Sequence, residues 1–375
     1  MSLVEGPTLL QVRAPDGVRV LEVADWTSLT VSQKFNQPDT WILELPSDTD
    51  AALLFRQPGY GLVVDTGGSV LLSGPASRWK LAQEPSGGTL TVSGMSDDVW
   101  LARRLALPDP DGNFATAEFD VRTGLAGTVI RQYVDANAGL SAQLDRQVLQ
   151  VAADQAEGTT VTGRARFDQL DQLVSALALA GGDLGWKVTD VAGDLVFDVF
   201  VPADRSATAV FSVDLGNLAG FSLDTTAPSG TYVYVGGDGD GVARTFVETQ
   251  DGTAVGQWGR IEQFADGGRS DATSELEQVA AEVLAQAAQP AALAVRPIDT
   301  DAMTFGVDYE LGDLVTVEVG GVPIVEKIRE VTVRFDETGR RVVPKVQPPG
   351  AAQTLELVGA IARTQRRLDG LERRR

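Results

Sequence analysis

The chain has 375 residues, a formal net charge of −21, and neither cysteine nor histidine. The missing cysteines exclude disulfides and thiolate metal sites, while the missing histidines exclude Ser-His-Asp triads and histidine-based zinc sites. The acidic balance disfavours binding to nucleic acid or to an anionic membrane, because both are normally recognised through a basic surface.

The first hundred residues have the pattern of β structure. Short runs of strand-forming residues alternate with turn residues, and two turns, Asp16-Gly17 and residues 65–68, are typical of hairpins. A short helix is expected near residues 49–56. Short strands at this spacing predict a small β-barrel or sandwich over residues 1–95.

The next segment, residues 96–204, mixes helix and strand. Apolar residues recur at helical spacing after Thr123 and after Asp168, and we expect these two residues to cap two helices. Gly139 and Gly181 are expected to end the helices. A strand pair at 185–191 and 195–201, with 192–194 as its turn, closes the segment. The segment therefore predicts a mixed α/β connecting domain.

The third segment, residues 205–348, returns to β structure and predicts a second β-barrel domain. One inserted helix is expected at about 271–289, because Ser274 and Glu277 have capping-box spacing and an apolar stripe follows them. The strands of this segment are expected at 232–235, 243–248, 314–319, 322–325, 331–335 and 342–346.

Two features of the third segment are interpreted as structural turns. Asp238 and Asp240 lie in a glycine-rich loop and imitate the alternating aspartates of calcium loops. Glu248 follows too closely to complete such a loop, so a hairpin turn is the better interpretation. Gly312 permits a sharp turn before the next strand, and Asp313 can hold that turn through its backbone contacts. We expect no metal and no cofactor.

The adjacent carboxylates of Asp97 and Asp98 raise the question of catalysis, since a glycosidase needs two carboxylates at a defined separation. Both residues, however, precede an apolar stretch at 99–101 with helical character. Acidic residues are favoured there as caps and by the helix dipole, so we interpret them as capping residues. The six tryptophans are scattered along the sequence and indicate no sugar-binding platform.

The last segment, residues 351–375, predicts a helix with a heptad pattern, in which Thr354 takes position a. A parallel coiled coil would place these residues at its interface: Leu357, Ile361, Thr364, Leu368 and Leu371 at positions a and d, with Arg367 at g and Glu372 at e. The alternative is a terminal helix that docks on its own domain. The arginines near the end of the segment are favoured there by the helix dipole.

Three stretches carry a resemblance to a known family: Val20–Pro46, Tyr232–Gly237 and Phe305–Val317. With them, the chain resembles the minor tail, or tail-tip hub, proteins of long-tailed phages of the siphovirus type, in particular those of actinobacteria. It is also similar to baseplate hub proteins and to the N-terminal hub part of tail-associated lysins. The likeness follows the order of elements along nearly the whole chain.

The resemblance implies an α+β, β-rich fold with two tail-tube-like β-barrel domains, α-containing connecting domains and the C-terminal helix. It also implies a homotrimer in the virion tail tip, made in the host cytoplasm. The expected partners are the distal tail or tail tube protein, the tape-measure protein and a downstream fibre or spike protein. DNA would pass transiently without specific binding. The N-terminus lacks a signal-peptide pattern, and we expect no membrane insertion.

Two alternatives to a structural hub remain at this point. One is a cell-wall glycosidase that works with carboxylates alone, and the other is a carbohydrate-binding adhesin at the tail tip. The first needs an acid pair in a defined geometry, and the second needs clustered exposed aromatic residues. We favour a structural, non-enzymatic role, because it accounts together for the acidic charge, the missing histidine, the heptads and the order of domains.

Overall fold

The computed structural model describes residues 8–346, apart from 86, 111, 113–116, 226, 269–271, 288–290, 298–302 and 320–321. The chain divides into two compact units. Unit 1 comprises Met1–Pro202, Asp299–Gly312 and Glu330–Val343, and unit 2 comprises Ala203–Ile298, Asp313–Arg329 and Pro344–Arg375. The domain boundaries expected from the sequence remain predictions.

Strands form most of the regular structure, and helices have a minor part, as expected for a β-rich α+β fold. The strands are β1 Thr8–Arg13, β2 Arg19–Glu22, β3 Ser28–Lys34, β4 Thr40–Pro46, β5 Gly61–Thr66, β6 Ser69–Glu84, β7 Gly87–Met95, β8 Leu105–Ala106, β9 Asp120–Leu125, β10 Gln150–Val151, β11 Thr160–Ala165, β12 Asp168–Gln169, β13 Gly185–Val191, β14 Asp194–Phe200, β15 Val210–Ser212, β16 Leu218–Thr225, β17 Tyr232–Gly236, β18 Phe246–Gln250, β19 Glu262–Asp266, β20 Ala291–Pro297, β21 Leu314–Val319, β22 Val322–Asp336 and β23 Gly339–Val346. The helices are α1 Asp50–Phe55, α2 Val99–Ala102, α3 Ala126–Ala138, α4 Leu170–Ala180, α5 Gly252–Trp258 and α6 Thr273–Ala287.

An antiparallel ladder forms the β part of unit 1, in the order β22-β3-β4-β7-β6-β5-β1-β2, with β22 contributing residues 330–336. The first half of β6 pairs with β5 and its second half pairs with β7, with an irregularity between Ala76 and Arg78. A bulge of this kind bends a strand and increases its twist, so the two halves of β6 can pair with different strands. In the described residues the ladder is open at β2, and no closed barrel is formed by its hydrogen bonds.

Alternating residues of this ladder form its core, as expected for strands with one buried face. Completely buried side chains include Leu29, Val31, Trp41, Leu43, Leu45, Leu62, Val64, Leu90 and Val92. The two predicted hairpin turns are confirmed, since β1 pairs with β2 and β5 with β6 in antiparallel fashion. The short helix near residue 49 is confirmed as α1, whose first turn is capped by the Thr49 hydroxyl.

The rest of unit 1 packs α3 and α4 with short strands around a second apolar core that includes Tyr133 and Phe197. Gly139 and Gly181 end the two helices as predicted, each donating its backbone N–H to the last turn. The predicted caps are wrong. Thr123 lies inside β9 and Asp168 inside β12, because both residues pair in strands immediately before the helices begin.

Unit 2 contains three groups of strands: β16, β20 and the end of β23; β15, β21 and the start of β22; and the separate three-stranded sheet β18-β17-β19. Helix α6 covers one face of the last sheet with the predicted apolar stripe. The predicted capping box is wrong, because α6 begins at Thr273 and Ser274 therefore lies inside its first turn. Similarly, the strand expected from residue 243 starts only at Phe246, after a 3₁₀ turn at Gly241–Ala243.

Candidate assembly site

A buried network of charges in unit 1 connects β1, the segment after β7, and β13. The Arg13 guanidinium donates to both carboxylate oxygens of Asp97, over 2.6 and 2.7 Å, and lies 3.4 Å from a carboxylate oxygen of Asp190. Arg19 donates to the other oxygen of Asp190 over 3.2 Å, and the Ser73 hydroxyl donates to Asp97 over 2.6 Å. Because Arg13, Asp97 and Asp190 are buried, these partners are needed to offset their desolvation.

A second pair of buried carboxylates, Asp98 and Asp39, adjoins this network. Asp98 accepts from the backbone N–H of Val188 and from the hydroxyl of Ser96, both over 2.7 Å. Asp39 accepts from the backbone N–H of Lys34 over 2.7 Å. Burial raises the pKa of Asp98 to about 6. Burial, together with the negative charge of Asp98, raises the pKa of Asp39 well above its ordinary value.

These contacts correct the interpretation of Asp97 and Asp98 as helix caps. Helix α2 does begin at Val99, but the Asp98 side chain makes no capping hydrogen bond. Asp97 instead binds Arg13 and Ser73 as well as the indole N–H of Trp100, and Asp98 binds the backbone N–H of Val188 as well as Ser96. A cavity of about 710 Å³ borders Asp39 and Asp98, yet both oxygens of Asp98 are already occupied by protein donors. These donors tie Asp98 to β13 and to the segment after β7.

The turn at Gly312 and Asp313 lies before β21. Gly312 has φ +92°, and a Cβ atom there would approach the ring of Phe35 to 2.5 Å. The Asp313 carboxylate accepts from the backbone N–H of Ala203 over 3.0 Å and from Nε of Arg205 over 2.8 Å. Glycine therefore meets two requirements at position 312, and Asp313 ties the start of β21 to the chain at 203–205.

The loop with Asp238 and Asp240 connects β17 to β18. The backbone carbonyl of Asp238 accepts from Thr245 over 2.9 Å, and that of Asp240 accepts from Ala243 over 3.1 Å. Among the described residues, no group of three or more acidic side chains is arranged to hold a metal ion. The coiled-coil residues Leu357, Ile361, Thr364, Arg367, Leu368, Leu371 and Glu372 lie outside the described residues.

A surface that the sequence reasoning missed is the second half of β6, residues 77–84, which we call the edge arm. Its residues are exposed, and in the described residues one side pairs with β7 while no strand pairs with the other. Trp79 lies opposite Val92 and Leu81 opposite Leu90, and such opposed residues share a face of the sheet.

The apolar face of the sheet continues from the buried core onto the exposed edge arm. Val92 and Leu90 are completely buried, whereas Trp79 and Leu81 are 47% and 44% exposed. A long strand with a free edge and exposed apolar side chains can pair with another chain, because its backbone N–H and C=O groups are unpaired on that side. The alternation of Trp79 and Leu81 with charged neighbours was the available sequence signal.

Comparison with known proteins finds one matching family model and several solved structures that are similar over most of the chain. A family model described as "Siphovirus ReqiPepy6 Gp37-like protein" matches residues 9–346. The structure is similar to the tail protein from Neisseria meningitidis MC58, with a TM-score of 0.59, 15% identity, and 91% of this chain and 97% of that chain covered. It is also similar to the 43 kDa tail protein of prophage MuSo2 from Shewanella oneidensis, with a TM-score of 0.58, 14% identity, and 90% and 97% covered.

A third similar structure is the prophage tail protein gp18 from Listeria monocytogenes EGD-e, with a TM-score of 0.54, 10% identity, and 96% of this chain and 99% of that chain covered. At these identities the likeness shows a shared fold. No curated protein sequence matches this chain significantly. In the part of the chain that the structure describes, no helix is both long and apolar enough to span a membrane.

Proposed function

Because the chain belongs to the Siphovirus ReqiPepy6 Gp37-like protein family and is a phage tail or baseplate-like structural protein of the virion, we propose that it forms the hub of the tail tip. Three copies would assemble around the tail axis, join the tail tube to a central fibre or spike, and line the channel through which DNA leaves. Its partners would be the distal tail or tail tube protein, the tape-measure protein and the fibre or spike protein.

The observation that carries the proposal is the length of the match. The family model extends over residues 9–346, and the three solved tail proteins are covered over 97%, 97% and 99% of their own lengths. The likeness therefore concerns the complete arrangement of elements rather than one common β module. A protein that shares this arrangement from end to end is expected to work as a tail component in its entirety.

Two features support assembly with further copies of the chain. The heptads from Thr354 to Leu371 favour a parallel coiled coil on a common axis. The edge arm offers a free strand edge together with the exposed side chains of Trp79 and Leu81. A neighbouring copy that covered this edge would bury apolar surface and satisfy backbone groups at the same time.

The charge of the chain supports a channel that conducts DNA. At a net charge of −21, the protein repels phosphate and offers little of the electrostatic attraction that supplies non-specific DNA binding. DNA could then move past without being retained. We propose no catalytic reaction, since Asp97 and Asp98 hold buried donors, and no specific observation favours the glycosidase alternative.

Labelling of intact particles tests the proposed location. An antibody against this chain, visualised by electron microscopy, is expected to decorate the end of the tail distal to the capsid. The same antibody on particles that lack the chain is the control. Decoration along the tube, decoration of the capsid, or no decoration of particles whose tail tips are accessible would contradict the proposal.

A further inference from the structure

The three-stranded sheet of unit 2 has one covered and one open face. On the covered face, Val233 and Val235 of β17 are completely buried and pack against Leu276 and Ala280 of α6. Because side chains alternate along a strand, the residues between them point away from α6. That open face is where the four aromatic side chains of β17, β18 and β19 come together.

Register places the aromatic residues on neighbouring strands. Tyr234 is opposite Phe264, Tyr232 lies two residues before Tyr234, and Phe246 is opposite Gly236. The two tyrosine rings are 5.2 Å apart between centroids. Phe246 and Phe264 are 56% and 59% exposed. We call Tyr232, Tyr234, Phe246 and Phe264 the aromatic face.

Two arginines lie across the aromatic face and are held in place. Arg260 has its guanidinium carbon 3.7 Å from the centroid of the Tyr232 ring, donates to Glu262 over 2.6 Å and contacts the Tyr234 hydroxyl. Stacking of this kind is a cation–π interaction. Since Glu262 neutralises the guanidinium and the ring orients it, this part of the surface is ordered before any partner arrives.

The second arginine is accommodated by a glycine. Arg244 donates to the carbonyl oxygens of Gly236 and Gly237 over 3.0 Å and to Asp266 over 2.7 Å. Its guanidinium carbon lies 5.6 Å from the Phe264 ring centroid. A Cβ atom at position 236 would approach that carbon to 2.7 Å, so the absence of a side chain in the middle of the sheet makes room for Arg244.

Residue types and charge indicate the occupant of this face. Tyrosine, phenylalanine and arginine are enriched at the centres of protein interfaces. On the open face, Glu248, Glu262 and Asp266 lie opposite Tyr234, Tyr232 and Gly236. These three carboxylates outnumber Arg244 and Arg260, and residues 229–287 as a whole have a net charge of −7. Anionic polymers are therefore repelled, and a basic surface is attracted. A sugar ring could stack on the covered side of Tyr232 only by displacing Arg260, which makes a protein partner the better fit.

We propose that the aromatic face docks a different protein of the same tail, one that presents an apolar centre surrounded by lysine and arginine. The inference rests on the proposed function, because it assumes a place in the tail. The three five-residue strands would form only the centre of a typical specific interface, which covers about 800 Å² on each partner. The acidic residues around the rings would form its rim and accelerate association.

Photo-crosslinking in assembled particles tests this inference. With p-benzoylphenylalanine in place of Phe264, irradiation is expected to link the chain to one other tail protein, through a peptide rich in lysine and arginine. The matched control carries the same group in place of Glu277, which is exposed on α6, the helix that covers the opposite face. That control is expected to give at least tenfold less of the same product. Absence of the product, or links only between copies of this chain, would overturn the inference.

A variant with Phe246→Ser and Phe264→Ser gives a second measurement. Because both rings are more than half exposed, the unfolding midpoint of the isolated chain should be unchanged. The yield of complete particles should fall at least tenfold. A normal yield of complete particles would overturn the inference. Intact particles that fail only in adsorption to cells would also overturn it, because that defect would indicate a glycan ligand. If antibody still labels the tail tip when no crosslink forms, only this inference fails; if the chain is absent from the tip, the proposed function fails.

Discussion

The charged residues of unit 1 show that the sequence around a buried side chain does not reveal all of its partners. Arg13 and Asp97 are 84 residues apart in the chain, and Arg13 and Asp190 are 177 apart. Helical and turn patterns report only on residues a few positions away. The capping interpretation of Asp97 was therefore the one that local spacing allowed, and its real partners follow only from the tertiary fold.

Loss of the Arg13 guanidinium should destabilise unit 1 strongly. Arg13→Ala leaves Asp97 and Asp190 buried with fewer partners, and removing one member of a buried ion pair costs about 3–5 kcal/mol. Urea unfolding of both chains measures the loss. The control is Arg341→Ala, whose side chain is 59% exposed beside Asp336, and which should change little. Similar losses in both variants would contradict the assignment.

The raised pKa of Asp98 predicts a dependence of stability on pH. Because burial raises this pKa from 3.8 to about 6 on folding, the folded chain holds the proton more tightly. The resulting stabilisation is fully present below about pH 4 and is lost as the pH rises through 6. Between pH 7 and pH 5 it should add on the order of 1 kcal/mol in the native sequence.

The variant Asp98→Asn removes this contribution, and it also removes the part of the Asp39 pKa shift that the Asp98 charge causes. The difference in unfolding free energy between pH 5 and pH 7, measured by urea unfolding, should be smaller in the variant than in the native sequence by that amount or more. Equal pH dependence in the two chains would show that Asp98 does not carry the effect.

Strands and helices were predictable where the pattern was regular and local. The strand pair β13 and β14 has the expected limits to within a residue, and its turn uses Ala192 and Gly193 with φ of +56° and +100°. In contrast, β22 was predicted as two strands and is one of 15 residues. Its buried positions change phase between Ile328 and Val331, so the alternation that marks a strand is interrupted there.

The edge arm provides a test at the level of one element. Trp79→Ser with Leu81→Ser should weaken association of the full chain at least tenfold, because the two exposed side chains would lose their contact with the neighbouring copy. The unfolding free energy of the monomer should change by no more than about 0.5 kcal/mol, as is usual for surface positions. Leu144→Ser, at a side chain that is 85% exposed on a separate turn, is the control and should leave association unchanged.

The heptad prediction for the C-terminal segment has its own test. Ile361→Ser places a hydroxyl at position a of the predicted coiled coil and should weaken association. Ala362→Ser, one residue later at the outward position b, should not. Sedimentation velocity on the two variants compares them directly, and equal association would favour the alternative of a helix docked on its own domain.

At the scale of the whole molecule, the sequence was sufficient for the β-rich fold class. Alternation and turn signals were spread along both β-rich segments, and they did not depend on distant partners. The aromatic face could not be anticipated in the same way. Its four rings come from three strands whose pairing joins residues 232–236 to 246–250 and to 262–266. Strands β17 and β19 pair in parallel although β18 and α5 lie between them in the chain. The exposure of the edge arm also depends on tertiary structure, because it is set by where the neighbouring strands end.

The mass of the full chain in solution tests the proposed hub most directly. Mass photometry or sedimentation equilibrium at micromolar concentration is expected to show a trimer of about 119 kDa, three times the chain mass of 39.7 kDa. The trimer should persist on dilution to submicromolar concentration if the coiled coil and the edge arm both contribute. A stable monomer of 39.7 kDa at micromolar concentration, with the chain fully folded, would contradict the account.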